Sequence, residues 1–360
     1  MPKKVLVAMS GGVDSSIAAH LLKEEGYEII GVTMQIWPEN QPPSENDTGC
    51  CSLSAVDDAR NVANNLGIPF YVMNFRQIFQ EKVIDYFIDE YMKGRTPNPC
   101  IACNRYVKFD ALLDKAIQLE LDYIATGHYA KIYYDDGRQR YLMKIAEDLN
   151  KDQTYALYGF TQEQLSKTLM PLGEYTKPQI RKIAADLNLR VADKPESQEI
   201  CFVPDNNYRN FLQSNVDSIK KGSFLDTAGN IIGTHEGIPF YTIGQRKGLG
   251  LALGYPAYVV DILPEKNAII IGKKEEVFSN GLYSYNNNFI MFESLEQPME
   301  VQAKIRYKSE PKKAMIYPEE SRVRVEFLEP EKAITPGQAV VYYLDDLVVG
   351  GGTIGERLKP

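Results

Sequence analysis

The sequence predicts an α/β first half built on a parallel sheet, followed by a small central domain and a C-terminal β-barrel. Three observations carry that reading. Short β-rich runs alternate with amphipathic helical stretches from Lys4 onward, the pattern of βαβ units. Past Asn206 the texture changes, and helical spacing thins out beyond Phe211. Short alternating runs separated by Gly, Pro and Asn then take over, as in small barrels. These shifts set expected boundaries at 1–205, 206–277 and 278–360, the second inside Glu275–Gly281.

The elements follow in order. Lys4–Met9 reads as a strand, and Ser15–Glu25 as a helix stopped by Gly26. Glu28–Met34 is a second strand, and Ala55–Leu66 a helix that Ser54 can cap and Gly67 closes. Phe70–Met73 is strand-like, and 75–92 has the spacing of one long helix after Asn74. Arg105–Leu119 is helical and Tyr123–Thr126 a strand. Two long loops interrupt the rhythm, Trp37–Leu53 with the Cys50-Cys51 pair, and Gly94–Asn104. Long loops in a compact α/β domain are commonly functional. In the second half the spacing predicts strands at Tyr258–Ile262, Ala268–Gly272, Val301–Tyr307, Ala314–Tyr317, Val323–Phe327, Ala339–Tyr343 and Leu347–Gly351.

Composition narrows the function classes. The chain of 360 residues is 44% hydrophobic and 24% charged, enough apolar material for sizeable cores. No apolar run approaches the roughly 20 residues of a membrane span, and the N-terminus reads as a strand rather than a leader, which points to the cytoplasm. A net charge of −8 excludes nucleic-acid binding by bulk charge. A local basic face survives that exclusion: Lys304, Arg306, Lys308, Lys312 and Lys313 stand against Glu310 alone within Val301–Met315, with Tyr307 among them to stack on a base or sugar. Five cysteines are too few and too uneven for a disulfide scaffold.

Ala8-Met9-Ser10-Gly11-Gly12-Val13-Asp14-Ser15-Ser16 sits between a predicted strand and a predicted helix. Paired glycines let backbone approach an anion closely, and the Ser10, Ser15 and Ser16 hydroxyls with the helix-start N–H groups can bind phosphate. No Gly-Lys-Ser/Thr follows, so it is not a Walker loop, and it lacks Gly-x-Gly-x-x-Gly. Cys100-Ile101-Ala102-Cys103 lies at a helix start, which favours thiolate. Spacing alone leaves half a zinc site, a redox pair or two structural thiols open, although the three histidines, His20, His128 and His235, supply no obvious zinc partners. Cys201, in Ser197-Gln198-Glu199-Ile200-Cys201, reads as a loop thiol, reactive or structural. Gly127-His128-Tyr129 closes a strand, where open α/β sheets bind ligands.

Ser-Gly-Gly-x-Asp-Ser resembles the pyrophosphate loop of ATP pyrophosphatases. Together with Asn98-Pro99-Cys100, Cys103, Gly127-His128, Lys151-Asp152-Gln153, Ser197–Cys201, Gly244–Gly250 and Arg306-Tyr307, in that order, the chain is similar along most of its length to the bacterial tRNA-specific 2-thiouridylases. The resemblance implies an adenine-nucleotide alpha hydrolase-like N-terminal domain and sulfur transfer to C2 of the wobble uridine in the tRNAs for Lys, Glu and Gln. It implies ATP contacts, with Mg2+, from Ala8, Met9, Ser10, Gly11, Gly12, Val13, Asp14, Ser15, Met34 and Gly127. Asn98, Pro99 and Cys100 would lie by the target base, and His128, Lys151, Asp152, Gln153, Arg306, Tyr307 and Gln338 would touch tRNA. Cys201 would carry a persulfide and Cys103 would be the partner nucleophile, closing a Cys103–Cys201 disulfide. The sulfur donor would be a cysteine desulfurase or a sulfur-carrier protein. One departure stands out: some family members have an acid–base Asp at the position of Cys100. Three thiols could instead hold a [4Fe–4S] cluster, a less favoured reading. Another pyrophosphate-loop synthetase, or a thiol carrier or RNA-binding protein without catalysis, is the remaining alternative.

Overall fold

The computed structural model describes residues 2–37, 53–195, 200–203 and 207–358. Cys50, Cys51, Ser197, Gln198 and Glu199 lie outside the described residues. The chain forms two compact units, one of Met1–Ile84, Cys100–Val203 and Asp346–Val348, the other of Asp85–Pro99, Pro204–Asp345 and Val349–Pro360. Among the described residues no helix is long and apolar enough to cross a membrane.

The first unit is built on β1 (Lys4–Ala8), β2 (Glu28–Gln35), β3 (Phe70–Asn74) and β4 (Tyr123–Ala125), with β7 (Thr168–Leu169) at one edge. Their order is β3-β2-β1-β4-β7, and all pairings are parallel. Val5, Leu6 and Val7 of the central β1 are fully buried, because helices cover both faces of such a sheet. Helix α1 (Val13–Glu24) presents Ile17, Ala18 and Leu22 to the core, joined by Ala59, Val62 and Ala63 of α2 (Leu53–Leu66) and Ile180 and Ala184 of α3 (Lys177–Asp186). The chain passes β1, β2, β3 on one side and returns to β4 on the other, so the topological switch point lies beyond the ends of β1 and β4.

The predicted helix 75–92 is helical in three consecutive pieces, with a π-helical stretch at Gln80–Ile84. The Asn74 side chain accepts from the Arg76 backbone N–H at 3.0 Å. Helix begins at Pro99, six residues before the expected Arg105, because a proline is well suited to a first helical position. It continues as a π-helical run, Cys103–Ala111, and an α-helix, Leu112–Gln118. Residues 99–104 are therefore helix, not loop. The spacing also misses the hairpin of β5 (Lys131–Asp135) and β6 (Arg140–Lys144), although Asp136-Gly137 is a strong turn signal.

The second unit contains a four-stranded sheet and a barrel. The sheet order is β10-β11-β8-β9, from β8 (Gly222–Leu225), β9 (Ile231–His235), β10 (Tyr258–Leu263) and β11 (Ala268–Gly272). In the barrel β12 (Phe278–Phe289), β15 (Arg322–Lys332), β14 (Lys312–Glu319), β13 (Met299–Lys304), β16 (Ala339–Leu344) and β17 (Leu347–Arg357) follow in spatial order. Pairing of β12 with β17 closes it, removing free edges. Inward residues such as Leu282, Ala303, Ile316, Val325 and Tyr342 are buried. Strand β12 is rich in Asn, Ser and Gly, which hides it from the spacing. The expected strand Val301–Tyr307 stops at Lys304, because the chain turns there and the Ser309 N–H donates to the Arg306 carbonyl at 3.2 Å. Arg306 and Tyr307 therefore sit on a turn. Helix α4 (Tyr208–Asn215) stacks Tyr208 on Tyr91 at 5.1 Å and sets Phe211 edge-on to Phe87 at 6.1 Å.

Candidate functional site

Residues 9–12 form the turn from β1 into α1 and 13–16 the first helical turn, at the switch point. Val5–Val7 lie deep in the core and β1 ends at Ala8, so the turn emerges at the carboxyl edge of the sheet. Gly11 has a φ of +66°, and a Cβ there would lie 2.1 Å from the Ala55 carbonyl oxygen, so only glycine fits. The Ser15 hydroxyl accepts from the Ser10 N–H at 3.1 Å and donates to the Gly12 carbonyl at 3.1 Å. Ser16 donates to the same carbonyl at 2.9 Å, and Thr33 donates to the Met9 carbonyl at 2.6 Å. Gly12 caps α1 without a side-chain bond, so the first-turn N–H groups are presented to an anion. From the neighbouring strand end, a Cβ at Gly127 would lie 2.6 Å from the Ser15 nitrogen. The two expected nucleotide segments are thus in direct contact. Met34 is half-buried near the end of β2, in register with Met73.

Sequence reasoning missed the charges around this turn. Both Asp14 carboxylate oxygens accept from the Lys177 ammonium, at 2.7 Å each, and one also accepts from the Tyr129 hydroxyl at 2.7 Å. Lys177 is 6% exposed and opens α3, where the Thr176–Gln179 capping box fixes the helix start. Lys194 bridges the Gly11 carbonyl at 3.1 Å and Asp58 at 2.6 Å. Arg181 holds the same segment through the Ala192 carbonyl at 2.6 Å. These partners stand far along the chain from the loop they serve, and no local pattern reveals them.

His128 follows at the same sheet edge. Its Nδ1 is 2.8 Å from the Thr126 hydroxyl, and its ring tilts against Phe109 with centroids 5.5 Å apart. Burial, and secondarily the Lys108 ammonium, push its pKa well below the usual histidine value, so the ring is neutral near pH 7. The Lys151–Gln153 stretch braces this corner. Asp152 is buried and accepts from the Ala146 N–H at 3.1 Å and the Thr154 hydroxyl at 2.7 Å. Gln153 accepts from the Tyr129 N–H at 2.9 Å.

Cys100 is exposed, and Cys103 and Cys201 are half-buried, none of them in a disulfide. Phe202 packs edge-on against Phe79, centroids 5.8 Å apart, while Lys82 lies over the Tyr106 ring at 5.9 Å. The helical pieces from 76 to 84 pack on the helix of Cys103, and Phe202 anchors the Cys201 segment to the same pieces. Among the described residues no three His, Cys, Asp or Glu side chains group as ligands for a metal ion. The thiols as placed therefore do not fit an iron–sulfur cluster.

The second unit gathers the remaining residues by itself. Gln338 donates to the Thr96 carbonyl at 2.8 Å and the Pro97 carbonyl at 3.2 Å, holding the stretch that leads to Asn98 and Pro99. Arg306 donates to the Ala333 carbonyl and, at 2.9 Å, to the Lys332 carbonyl, while Tyr307 is 40% exposed under the Lys304 ammonium. Residues 332–338 are thus held at one end by Arg306 and tied at the other, through Gln338, to Thr96 and Pro97.

The chain matches three family models: a tRNA methyl transferase HUP domain over residues 3–205, a tRNA methyl transferase PRC-barrel domain over 209–273, and an aminomethyltransferase beta-barrel domain over 279–354. It is 59% identical over 360 residues to a tRNA-specific 2-thiouridylase MnmA from Desulforamulus reducens, covering 99% of this chain and 98% of that relative. Identity to the protein of the same description from Acetivibrio thermocellus is 60% over 355 residues, with 98% and 99% covered. Among solved structures, the U34-tRNA thiolase NcsA from Methanococcus maripaludis with its [4Fe-4S] cluster is similar at 17% identity and a TM-score of 0.34, over 60% of this chain and 65% of that one. Near-complete coverage at this identity leaves one assignment: the chain belongs to the tRNA-specific 2-thiouridylase MnmA family.

Proposed function

We propose that the chain is a tRNA-uridine 2-sulfurtransferase that activates its target with ATP, in the wobble uridine of the tRNAs for Lys, Glu and Gln. The observation that carries the reading is the contact of Gly127 with the Asp14–Ser15 start of α1, which joins a pyrophosphate-type turn to the His128 corner at one switch point. Residues 1–205 would adenylate and thiolate, while 206–277 and the barrel of 278–360 would hold tRNA.

The chemistry sets the order of events. A pyrimidine C2 oxygen is a poor leaving group, so it first attacks the α-phosphorus of ATP and pyrophosphate departs. The helix-start N–H groups and the Ser10 hydroxyl stabilise the departing charge, and Asp14 would hold Mg2+, which would supply positive charge to the phosphates. The uridine must leave the anticodon stack to be reached. The terminal sulfur of a Cys201 persulfide then attacks C2, and the C2–O bond to AMP breaks. The Cys103 thiolate attacks the Cys201 sulfur, the S–S bond to the base breaks, and 2-thiouridine leaves with a Cys103–Cys201 disulfide behind. Phe202 on Phe79 supports this pairing by tethering the Cys201 segment to the helical pieces beside Cys103. A small-molecule or protein dithiol would first reduce the Cys103–Cys201 disulfide, being oxidised to its own disulfide, and a cysteine desulfurase, directly or through a carrier, would then reload Cys201. Asn98, Pro99 and Cys100 would flank the base; Lys151, Arg306 and Tyr307 would meet tRNA, with Asp152, Gln153 and Gln338 setting the backbone beside them.

Pyrophosphate release from ATP tests the reading. Release should depend on unmodified tRNA, and equal release with an amino-acid acceptor and no tRNA would overturn it.

A further inference from the structure

The Thr126 hydroxyl has one hydrogen to give. Thr126 is 3% exposed, and its oxygen accepts from the His128 backbone N–H at 3.4 Å. Among the described residues the acceptor within reach of that hydrogen is His128 Nδ1, at 2.8 Å. A buried hydroxyl hydrogen left without an acceptor costs free energy, so the hydrogen goes to Nδ1. A neutral imidazole carries one ring proton, which is then on Nε2.

We infer that Thr126 is a positioning residue that locks His128 as the Nε2–H tautomer, making the ring a donor-only contact for an oxygen of the target uridine. This deepens the proposed function and rests on it for the substrate. The geometry is local and rigid: donor and acceptor are two residues apart at the end of β4, Phe109 backs the ring, and Phe160 backs Phe109 at 4.3 Å. The ring is half-buried, its Nδ1 is engaged by Thr126, and Nε2 is the remaining polar atom it can offer to a ligand. Such a ring cannot take a proton at Nε2, because that nitrogen already holds one, and its Nδ1 lone pair is engaged. Proton removal from the uridine therefore falls to another group, and His128 contributes orientation and polarity alone.

Proton–nitrogen correlation NMR on the full-length, tRNA-free protein with isotope-labelled histidine reads the tautomer directly, His128→Gln assigning the signal. The wild type and Thr126→Ser should show a protonated Nε2 and a bare Nδ1. Thr126→Val, close in shape but without the hydroxyl, should show the Nδ1–H form and lose about tenfold in the kcat of tRNA thiolation, the loss of one oriented hydrogen bond. Its KM for ATP should not move, and Thr126→Ser should restore the rate. A wild-type ring protonated at Nδ1, or a Thr126→Val ring still purely Nε2–H, would overturn the inference. If the tautomer is as stated yet the wild type thiolates no tRNA, the functional reading fails and the Thr126–His128 geometry stands.

Discussion

Asp14 and Lys177 show how one residue can serve two purposes. The ammonium is almost wholly buried, and the carboxylate is its partner within 2.7 Å. Removing one member of such a pair leaves a buried charge uncompensated, at a cost of about 3–5 kcal/mol, less here because Asp14 is partly solvated. Asp14→Asn should therefore abolish tRNA-dependent AMP formation and also lower the thermal midpoint. Adding Lys177→Met, which takes the orphaned charge away, should recover much of the midpoint and none of the adenylation. If the single variant keeps a wild-type midpoint, the pair is not holding the turn. The cysteines call for the opposite pattern. Cys103→Ala and Cys201→Ala should each stop thiolation while adenylation and stability persist, since neither thiol is deeply buried. Loss of AMP formation in either would place that thiol in the activation step instead.

At the scale of elements, the strand ends decide where chemistry can occur, and glycine decides how closely they approach. Gly127→Ala should drive its Cβ into the backbone of α1 at 2.6–2.7 Å, a clash with atoms that cannot rotate away. We expect about 1–3 kcal/mol of destabilisation by urea unfolding and a larger relative loss of ATP affinity. Unchanged ATP binding would mean that β4 and the turn are not coupled. This is also where legibility from sequence divides. The first four parallel strands, the phosphate-type turn and the His128 strand end are written locally, in hydrophobic runs and in short motifs, so they are readable. Strand β12 is not, because Asn286, Asn287 and Asn288 carry turn chemistry inside a strand whose pairing comes from β15 and β17. Lys177 lies 163 positions from Asp14 and Lys194 lies 183 from Gly11, contacts that only tertiary folding creates.

For the molecule as a whole, acid provides the broadest test, since each unit contains one histidine whose pKa the fold lowers. Burial is the main cause at both, joined at His128 by Lys108 and opposed at His235 by the Asn267 carbonyl, which accepts from its Nε2 at 3.2 Å. Because the native pKa values lie below the unfolded value of 6.5, the unfolded chain binds more protons as the pH falls through that range. Stability from keeping these rings neutral is thus fully present above 6.5 and is lost below it, in a window distinct from the lower one in which carboxylates such as Asp226 protonate. Urea midpoints should fall between about pH 7.5 and pH 5.5. The His128→Gln, His235→Gln double variant, though less stable at the upper pH, should show a much flatter dependence over that interval. The single variants separate the units: His128→Gln should flatten the response reported by the parallel-sheet unit, and His235→Gln that of the unit with the barrel. An unaltered slope in the double variant would show that other groups govern acid unfolding.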